Sequence, residues 1–381
     1  MNKTKLLLLA IGLGVLACTL DESSIATAYL DLPKTPYTYS NDTVNNYVAT
    51  LGRVLFYDKQ LSINNSVSCA SCHKQELAFA DNVKFSKGFE NRLTNRNSMP
   101  IQDLSPGFSI SLFNGITSNS ITFTTNIAVD PALTIFAGSG GTFLFWDGRE
   151  SNLREMVLKP IGNHVEMGIR DMKDLETKLA KVPYYAGLFQ DAFGSPEITS
   201  EKIGRALSAF LFSITTTNTR FDMASRGQAQ LTALELAGQA LFTTTYECNA
   251  CHQVQAPHGY VFAGAFSNIG LDAQDTDDGR GGVTHQNADV GSFKIPSLRN
   301  VALTAPYMHD GRFETLDEVI EHYSGGMANN PNLDPRLREG DAPMRMDIPK
   351  YDKEAIIAFL NTLTDHKMTR DEKFSNPFKH K

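Results

Sequence analysis

Two stretches share one pattern: V-S-C-A-S-C-H-K at 67–74 and Y-E-C-N-A-C-H-Q at 246–253. Each is approached by a matching piece, G-R-V-L-F at 52–56 and G-Q-A-L-F at 238–242. A helix that runs into C-x-x-C-H, used twice in one chain, reads as an internal duplication. The duplication constrains the fold strongly, because both copies must place two thiols and an imidazole on one tight turn after a packed helix.

C-x-x-C-H is the attachment pattern of c-type haem. Cysteines of that spacing can form thioethers to the porphyrin, and the adjoining histidine can ligate its iron. This assigns Cys69, Cys72 and His73 to one haem and Cys248, Cys251 and His252 to a second. Two other chemistries use the same residue types. A single zinc held by all four cysteines leaves the histidine after each pair unexplained. A thioredoxin-like dithiol wants a βαβ setting, which the sequence lacks. What either iron does depends on its sixth position, since an occupied one carries electrons and an open one handles a small ligand.

The fifth cysteine, Cys18, ends an export signal. Residues 1–17 have a basic start and a short apolar run (LLLLAIGLGVLA), too short to stay in a bilayer as a spanning helix. V-L-A-C resembles a lipobox, so Cys18 is expected to carry lipid and to be the first mature residue, anchoring an exported protein to a membrane. An ordinary signal peptide with an incidental cysteine is the alternative. Residues 18–40 are polar and contain prolines, and read as a tether.

A chain of 381 residues exceeds what one core usually holds. Two domains are therefore expected, at 41–222 and 230–370, with 221–230 as the hinge. Helical spacing is clear at Val44, Tyr47, Val48, Leu51, Val54 and Leu55, with Asn41 or Asp42 as cap. It returns at Leu153, Met156 and Val157, at Ile203, Ala206, Leu207 and Phe210, and at Ile356, Phe359, Leu360 and Leu363. A capping box, T-L-D-E at 315–318, opens another helix. Segments 101–145 and 253–300 read as long loops. The class is mainly α with long loops. A net charge of −7 without a basic run argues against nucleic acid as a partner.

Longer motifs carry a resemblance. L-G-R-V-L-F-Y-D-K-Q-L-S, F-W-D-G-R at 145–149, P-I-G-N-H-V-E-M-G at 160–168 and P-S-L-R-N-V-A-L-T-A-P-Y-M-H-D-G-R at 296–312 resemble the bacterial di-haem cytochrome c peroxidase and MauG superfamily. The likeness runs in order from about 45 to 365. It implies two cytochrome c-type haem domains, an N-terminal peroxidatic one and a C-terminal one for electron input, with calcium between them. Trp146 of F-W-D-G-R resembles the tryptophan between the haems, a core aromatic being the alternative. Glu166 resembles the acid over the peroxidatic iron, where it could move a proton between the oxygens of bound peroxide. His164 is not part of the pattern, and is either a surface residue or a second distal group. Asn97, with the carbonyls of Thr304 and Pro306, matches the calcium ligands, neutral oxygens suited to a hard cation.

Two departures bear on mechanism. Where the peroxidases carry a histidine that caps the peroxidatic iron, this chain has Phe89 nearby and no histidine from 74 to 163. An iron that is open without prior reduction is expected. Fourteen residues after His309 the peroxidases have an axial methionine, and here the residue is Tyr323, as in MauG-type proteins. Met327 is the competing ligand. His309 is expected near the same haem as a propionate or water partner.

The resemblance thus implies a peroxidase that reduces hydrogen peroxide with electrons from a small c-type cytochrome or copper protein. The rival reading is a MauG-like enzyme that uses a high-valent iron state to oxidise a partner protein or other substrate. A third is an electron carrier with both irons six-coordinate. A homodimer is compatible with all three.

Overall fold

A computed structural model describes residues 28–39, 44–104, 143–252, 254 and 266–379. Cys18, the export signal, residues 105–142 of the loop expected at 101–145, and residues 253 and 255–265 of that expected at 253–300 lie outside the described residues. The described chain is mainly α. Its principal helices are α1 (Asn46–Tyr57), α2 (Met172–Leu179), α3 (Tyr185–Phe193), α4 (Ser200–Ser213), α5 (Arg220–Ser225), α6 (Ala233–Ala240), α7 (Leu316–Glu321) and α8 (Lys350–Asn361). Strands among the described residues are two-residue pairs, Phe266–Ser267 with Phe293–Lys294 and Arg338–Glu339 with Ala342–Pro343, both antiparallel.

Two helix pairs organise the molecule: α1 packs on α4, and α6 packs on α8. In the first pair a Cβ built at Gly52 would lie 1.9 Å from the Ala206 carbonyl oxygen. In the second, one built at Gly238 would lie 1.8 Å from the Ala355 carbonyl oxygen. Only a glycine lets the backbones approach so closely. Four residues on, the rings repeat the match, with Phe56 on Phe210 at 5.2 Å and 55° and Phe242 on Phe359 at 5.4 Å and 52°. The duplication seen in the approach sequences therefore extends to a partner helix in each half, Ala-x-x-x-Phe on α4 and on α8.

Each pair centres its own hydrophobic core. The first gathers Leu51, Val54, Leu55, Phe56, Ile203 and Phe210, among others. The second is smaller and holds Phe221, Phe242, Ile356, Phe359 and Leu363. Helix α1 is buried at every position from Ala49 to Phe56, so it runs through its core rather than along its edge.

Several expectations shift. The cap of α1 is Asn45, whose side chain accepts from the Tyr47 and Val48 amides, not Asn41 or Asp42. Tyr47 is half exposed, because burial begins only at Ala49. Residues 28–39, expected within a tether, are packed: Leu30 bridges to Phe378, and Tyr39 lies in the first core against Phe374. Met368 and Phe374, from beyond α8, also belong to this first core. The stretch expected to be a hinge starts as α5, with Phe221 in the second core and Asp222 buried.

Asp222 forms a bidentate pair with Arg299 at 2.7 Å, both side chains 2% exposed. Gln102 donates to the Arg299 carbonyl, Asn300 donates to Gln102 and Thr216, and the Asp365 amide donates to Asn300. This buried polar knot ties the P-S-L-R-N segment to Gln102, Thr216, Asp222 and Asp365, with its polar groups satisfied as burial requires.

Candidate haem sites

At the first site Cys69–Ser71 form a single 3₁₀ turn, and the His73 amide donates to the Cys69 carbonyl. Ala78 and Phe79 both take left-handed backbone, at φ 54° and 58°. That tight reversal presents the Phe79 carbonyl to His73 Nδ1 at 2.9 Å. The Ser98 hydroxyl lies 3.4 Å from the same nitrogen and donates to the Cys72 carbonyl. With Nδ1 held as a donor, the imidazole presents Nε2 as its lone-pair nitrogen, the arrangement of a metal-bound histidine.

The second site repeats this design. Cys248–Ala250 form a 3₁₀ turn, and His252 Nδ1 lies 3.1 Å from the Pro296 carbonyl. Burial holds both imidazoles neutral, with His252 lowered to about 4. Burial also raises the thiols, Cys69 to about 12 and Cys72 and Cys248 to about 11. A dithiol redox motif needs the opposite shift. Among the described residues no three His, Cys, Asp or Glu side chains converge as a metal cluster, so a four-cysteine zinc finds no support.

The second site opens on a cavity of about 690 Å³, lined by Cys248, Cys251 and His252 and otherwise largely apolar. Leu316, Val319, Ile320 and Tyr323, which follow helical spacing along α7 and the turn after it, all line it. Tyr323 sits in a π-helical turn, His322–Gly326, that continues α7. Burial raises its phenol far above the ordinary value. Met327 instead packs with Leu333 and Leu337 and is not among the residues that line the cavity. Met344 and Met346 do line it. They were not anticipated, since M-R-M in a loop carries no periodic signal. His309 also faces the cavity, stacked on Phe293 at 3.6 Å. The free imidazole nitrogen, paired thiols and large apolar cavity fit a covalently held haem.

Trp146 is hydrogen-bonded toward both histidine turns. Its indole N–H donates to the Asn97 carbonyl at 2.8 Å, one residue from Ser98 and hence from His73. Its own carbonyl accepts from Lys294, two residues before Pro296 and hence near His252. Trp146 is among the residues that line the second cavity. The following Asp147 is clamped by Arg96 at 2.6 Å and Arg149 at 2.8 Å, which holds its carboxyl below the usual range despite burial. Phe145 and Gly148, at φ 65° and 66°, close the turn that carries the indole.

Glu166 is half-buried, with its Oε1 accepting from Asn163 Nδ2 at 2.9 Å. Burial raises its carboxyl, the Arg149 charge opposes the shift, and both Cys69 and Cys72 feel the carboxylate. The segment is clasped by Phe89, whose amide donates to the Glu166 carbonyl and whose ring fills the space beside Gly168. His164 is exposed, and its carbonyl accepts from Arg92.

The Asn97 amide donates to the His309 carbonyl, which sets it beside the 304–309 stretch. Its Nδ2 donates to the Val83 and Lys84 carbonyls, directing Oδ1 away from them. Among the described residues none donates a hydrogen bond to the carbonyl of Thr304 or Pro306. Three uncommitted neutral oxygens fit a hard cation. No helix of the described residues is long and apolar enough to cross a membrane.

Comparison with known proteins agrees with this geometry. Residues 46–230 match the family described as di-haem cytochrome c peroxidase. The methylamine utilization protein MauG of Methylorubrum extorquens is 31% identical over 333 residues, 86% of this chain and 81% of that protein. The cytochrome c551 peroxidase of Nitrosomonas europaea is 30% identical over 323 residues, 84% of this chain and 80% of that protein. The crystal structure of a MauG-like protein associated with microbial copper homeostasis superposes with a TM-score of 0.69 at 31% identity. It covers 91% of this chain and 98% of its own. Because the similarity spans both C-x-x-C-H turns, the chain belongs to the di-haem cytochrome c peroxidase family, with its two haem c groups and an activity on peroxide.

Proposed function

We propose an exported peroxidase that reduces hydrogen peroxide to water at the site of Cys69, Cys72 and His73. Electrons reach it from the site of Cys248, Cys251 and His252. The observation that carries this reading is Glu166, a partly buried carboxyl of raised proton affinity close to Cys69 and Cys72. A haem held by Cys69, Cys72 and His73 would supply a binding site for peroxide and the electrons that cleave it. Glu166 accepts the proton of the nearer peroxide oxygen and returns it to the farther one, which then leaves as water. Asn163 holds the carboxyl in place through Oε1. Trp146, hydrogen-bonded toward both histidine turns, is the relay between the sites.

Phe89, tied into the Glu166 segment, stands where a capping histidine is expected, which supports an enzyme active without prior reduction. Two domains of cytochrome c type, a calcium ion at Asn97, Thr304 and Pro306, and a lipid anchor at Cys18 complete the proposal. The donor is a small c-type cytochrome or copper protein. The test mixes the as-isolated diferric protein with peroxide and a reduced monohaem cytochrome c. Rapid donor oxidation without pre-reduction is the expected result. Peroxide left unconsumed would overturn the assignment.

Tyr323 favours the MauG-like reading as a second one, because it lines the cavity and Met327 does not. A phenolate ligand favours ferric iron, so Tyr323→Phe should raise the midpoint potential of the second haem and remove phenolate-to-iron absorption. Met327→Leu should leave both unchanged. The reverse pattern would transfer the ligand role to Met327.

A further inference from the structure

A cluster of phenols lies beside the first site, outside the machinery described so far. Asp58 is 5% exposed, and its Oδ2 accepts from the hydroxyls of Tyr184 at 2.7 Å and Tyr185 at 2.6 Å. Oδ1 is occupied by the Gln60 amide. Tyr185 is fully buried in the first core, against which Cys69 also packs, and its phenol feels the Cys69 thiol. The Tyr185 and Tyr184 rings are 4.8 Å apart between centroids, and Tyr184 and Tyr29 are 5.6 Å apart. Tyr29 is 41% exposed. Three phenols thus form a continuous series from the core that holds Cys69 to solvent, with one carboxylate serving the two buried members.

We propose that this series is an exit for oxidising equivalents, used when peroxide has been reduced at the first site and no donor is at hand. The inference rests on the peroxide chemistry assigned above to that site. Peroxide supplies two oxidising equivalents, and one leaves by this route. Tyr185 gives up one electron to the oxidised site and its phenol proton to Asp58 Oδ2, leaving a neutral tyrosyl radical and a protonated Asp58. Tyr184 then reduces Tyr185, which takes the proton back from Asp58 while Tyr184 passes its own to the same oxygen. Tyr29 reduces Tyr184 in turn, Asp58 returns the proton to Tyr184, and the Tyr29 proton goes to water. The net change is one electron and one proton lost from Tyr29. The carboxylate is essential because oxidation of a buried phenol without proton loss leaves an unpaired charge in an apolar core.

An exposed tyrosyl radical couples with that of another copy through a new carbon–carbon bond, so the exit can be read chemically. The protein is treated with peroxide without donor, and tyrosyl radical, dityrosine fluorescence and the cross-linked peptide are recorded. The expected result is a tyrosyl signal and covalent dimers joined at Tyr29. Tyr29→Phe should abolish the dimers and leave donor oxidation unchanged. Tyr185→Phe and, separately, Tyr184→Phe should reduce the Tyr29 cross-link to background, provided each variant retains both haem spectra. Tyr351→Phe and Tyr47→Phe, at tyrosines 59% and 50% exposed, should change nothing. Cross-links at those two tyrosines, Tyr29 coupling that survives both buried variants, or peroxide consumption without a tyrosyl signal would each overturn the exit while leaving the peroxidase reading intact. A protein that does not react with peroxide at all sinks both.

Discussion

Replacing Glu166 by glutamine is expected to slow peroxide turnover by roughly 10²–10⁴-fold, the range of a positioned acid–base group. The substitution keeps the shape of the side chain and an oxygen that can accept from Asn163 Nδ2, so the local turn should persist. Haem content, cyanide binding to the diferric protein and the potential of the second haem should therefore be unchanged. That separates proton handling from iron access. The pH profile carries the same information with a definite sign. Glu166 must begin ionised to accept a proton, and burial raises its proton affinity. Activity should fall as pH drops through a value above that of an exposed glutamate, and this acid limb should vanish from Glu166→Gln. The Arg149 charge opposes the shift, so Arg149→Gln should move the limb to higher pH. A Glu166→Gln enzyme with wild-type turnover would remove the carboxyl from the mechanism.

The attachment sites were legible in the sequence because covalent chemistry demands a fixed local pattern, Cys-x-x-Cys-His, whatever the surroundings. The packed faces of α4 and α8 were legible for a similar reason, since their stripes follow helical spacing to full burial at Ile203, Phe210 and Phe359. What escaped depends on partners distant in sequence. Residues 28–39 are polar enough to read as tether, yet Tyr39 and Leu30 are buried by Phe374 and Phe378, more than three hundred residues away. The carbonyl that orients His252 comes from Pro296, and the pattern around His252 does not announce it. Met344 and Met346 reach the second cavity from a loop, where no periodicity exists to reveal a facing side. Tyr323 was named by its spacing from His309 in a resembling motif, and it lines the cavity because the spacing of Leu316, Val319 and Ile320 on α7 continues into the π turn.

The duplicated glycines make the most demanding structural prediction. An alanine at Gly52 or Gly238 gains about 1 kcal/mol of helix propensity, so at an exposed helical site it would stabilise the protein. Here the added methyl would stand 1.9 Å from the Ala206 carbonyl oxygen in one case and 1.8 Å from that of Ala355 in the other. Neither oxygen belongs to a side chain that can rotate away, so the helices must separate and the Phe56–Phe210 and Phe242–Phe359 contacts must loosen with them. Overpacking of this kind reaches about 3 kcal/mol or more. The net loss is then on the order of 2–3 kcal/mol for each variant, a fall of roughly 5–10 °C in melting temperature for a unit of this size. Because the two crossings sit in separate cores, Gly52→Ala should disturb the spectrum of the first haem and Gly238→Ala that of the second. Their effects should also add in the double variant, as expected for distant sites. Leu234→Ala, at a residue 37% exposed on α6, serves as the control and should cost less than about 0.5 kcal/mol. If either glycine accepts alanine at no cost, the close crossing is wrong for that half. If both do, the approach sequences resemble one another without sharing a structural cause.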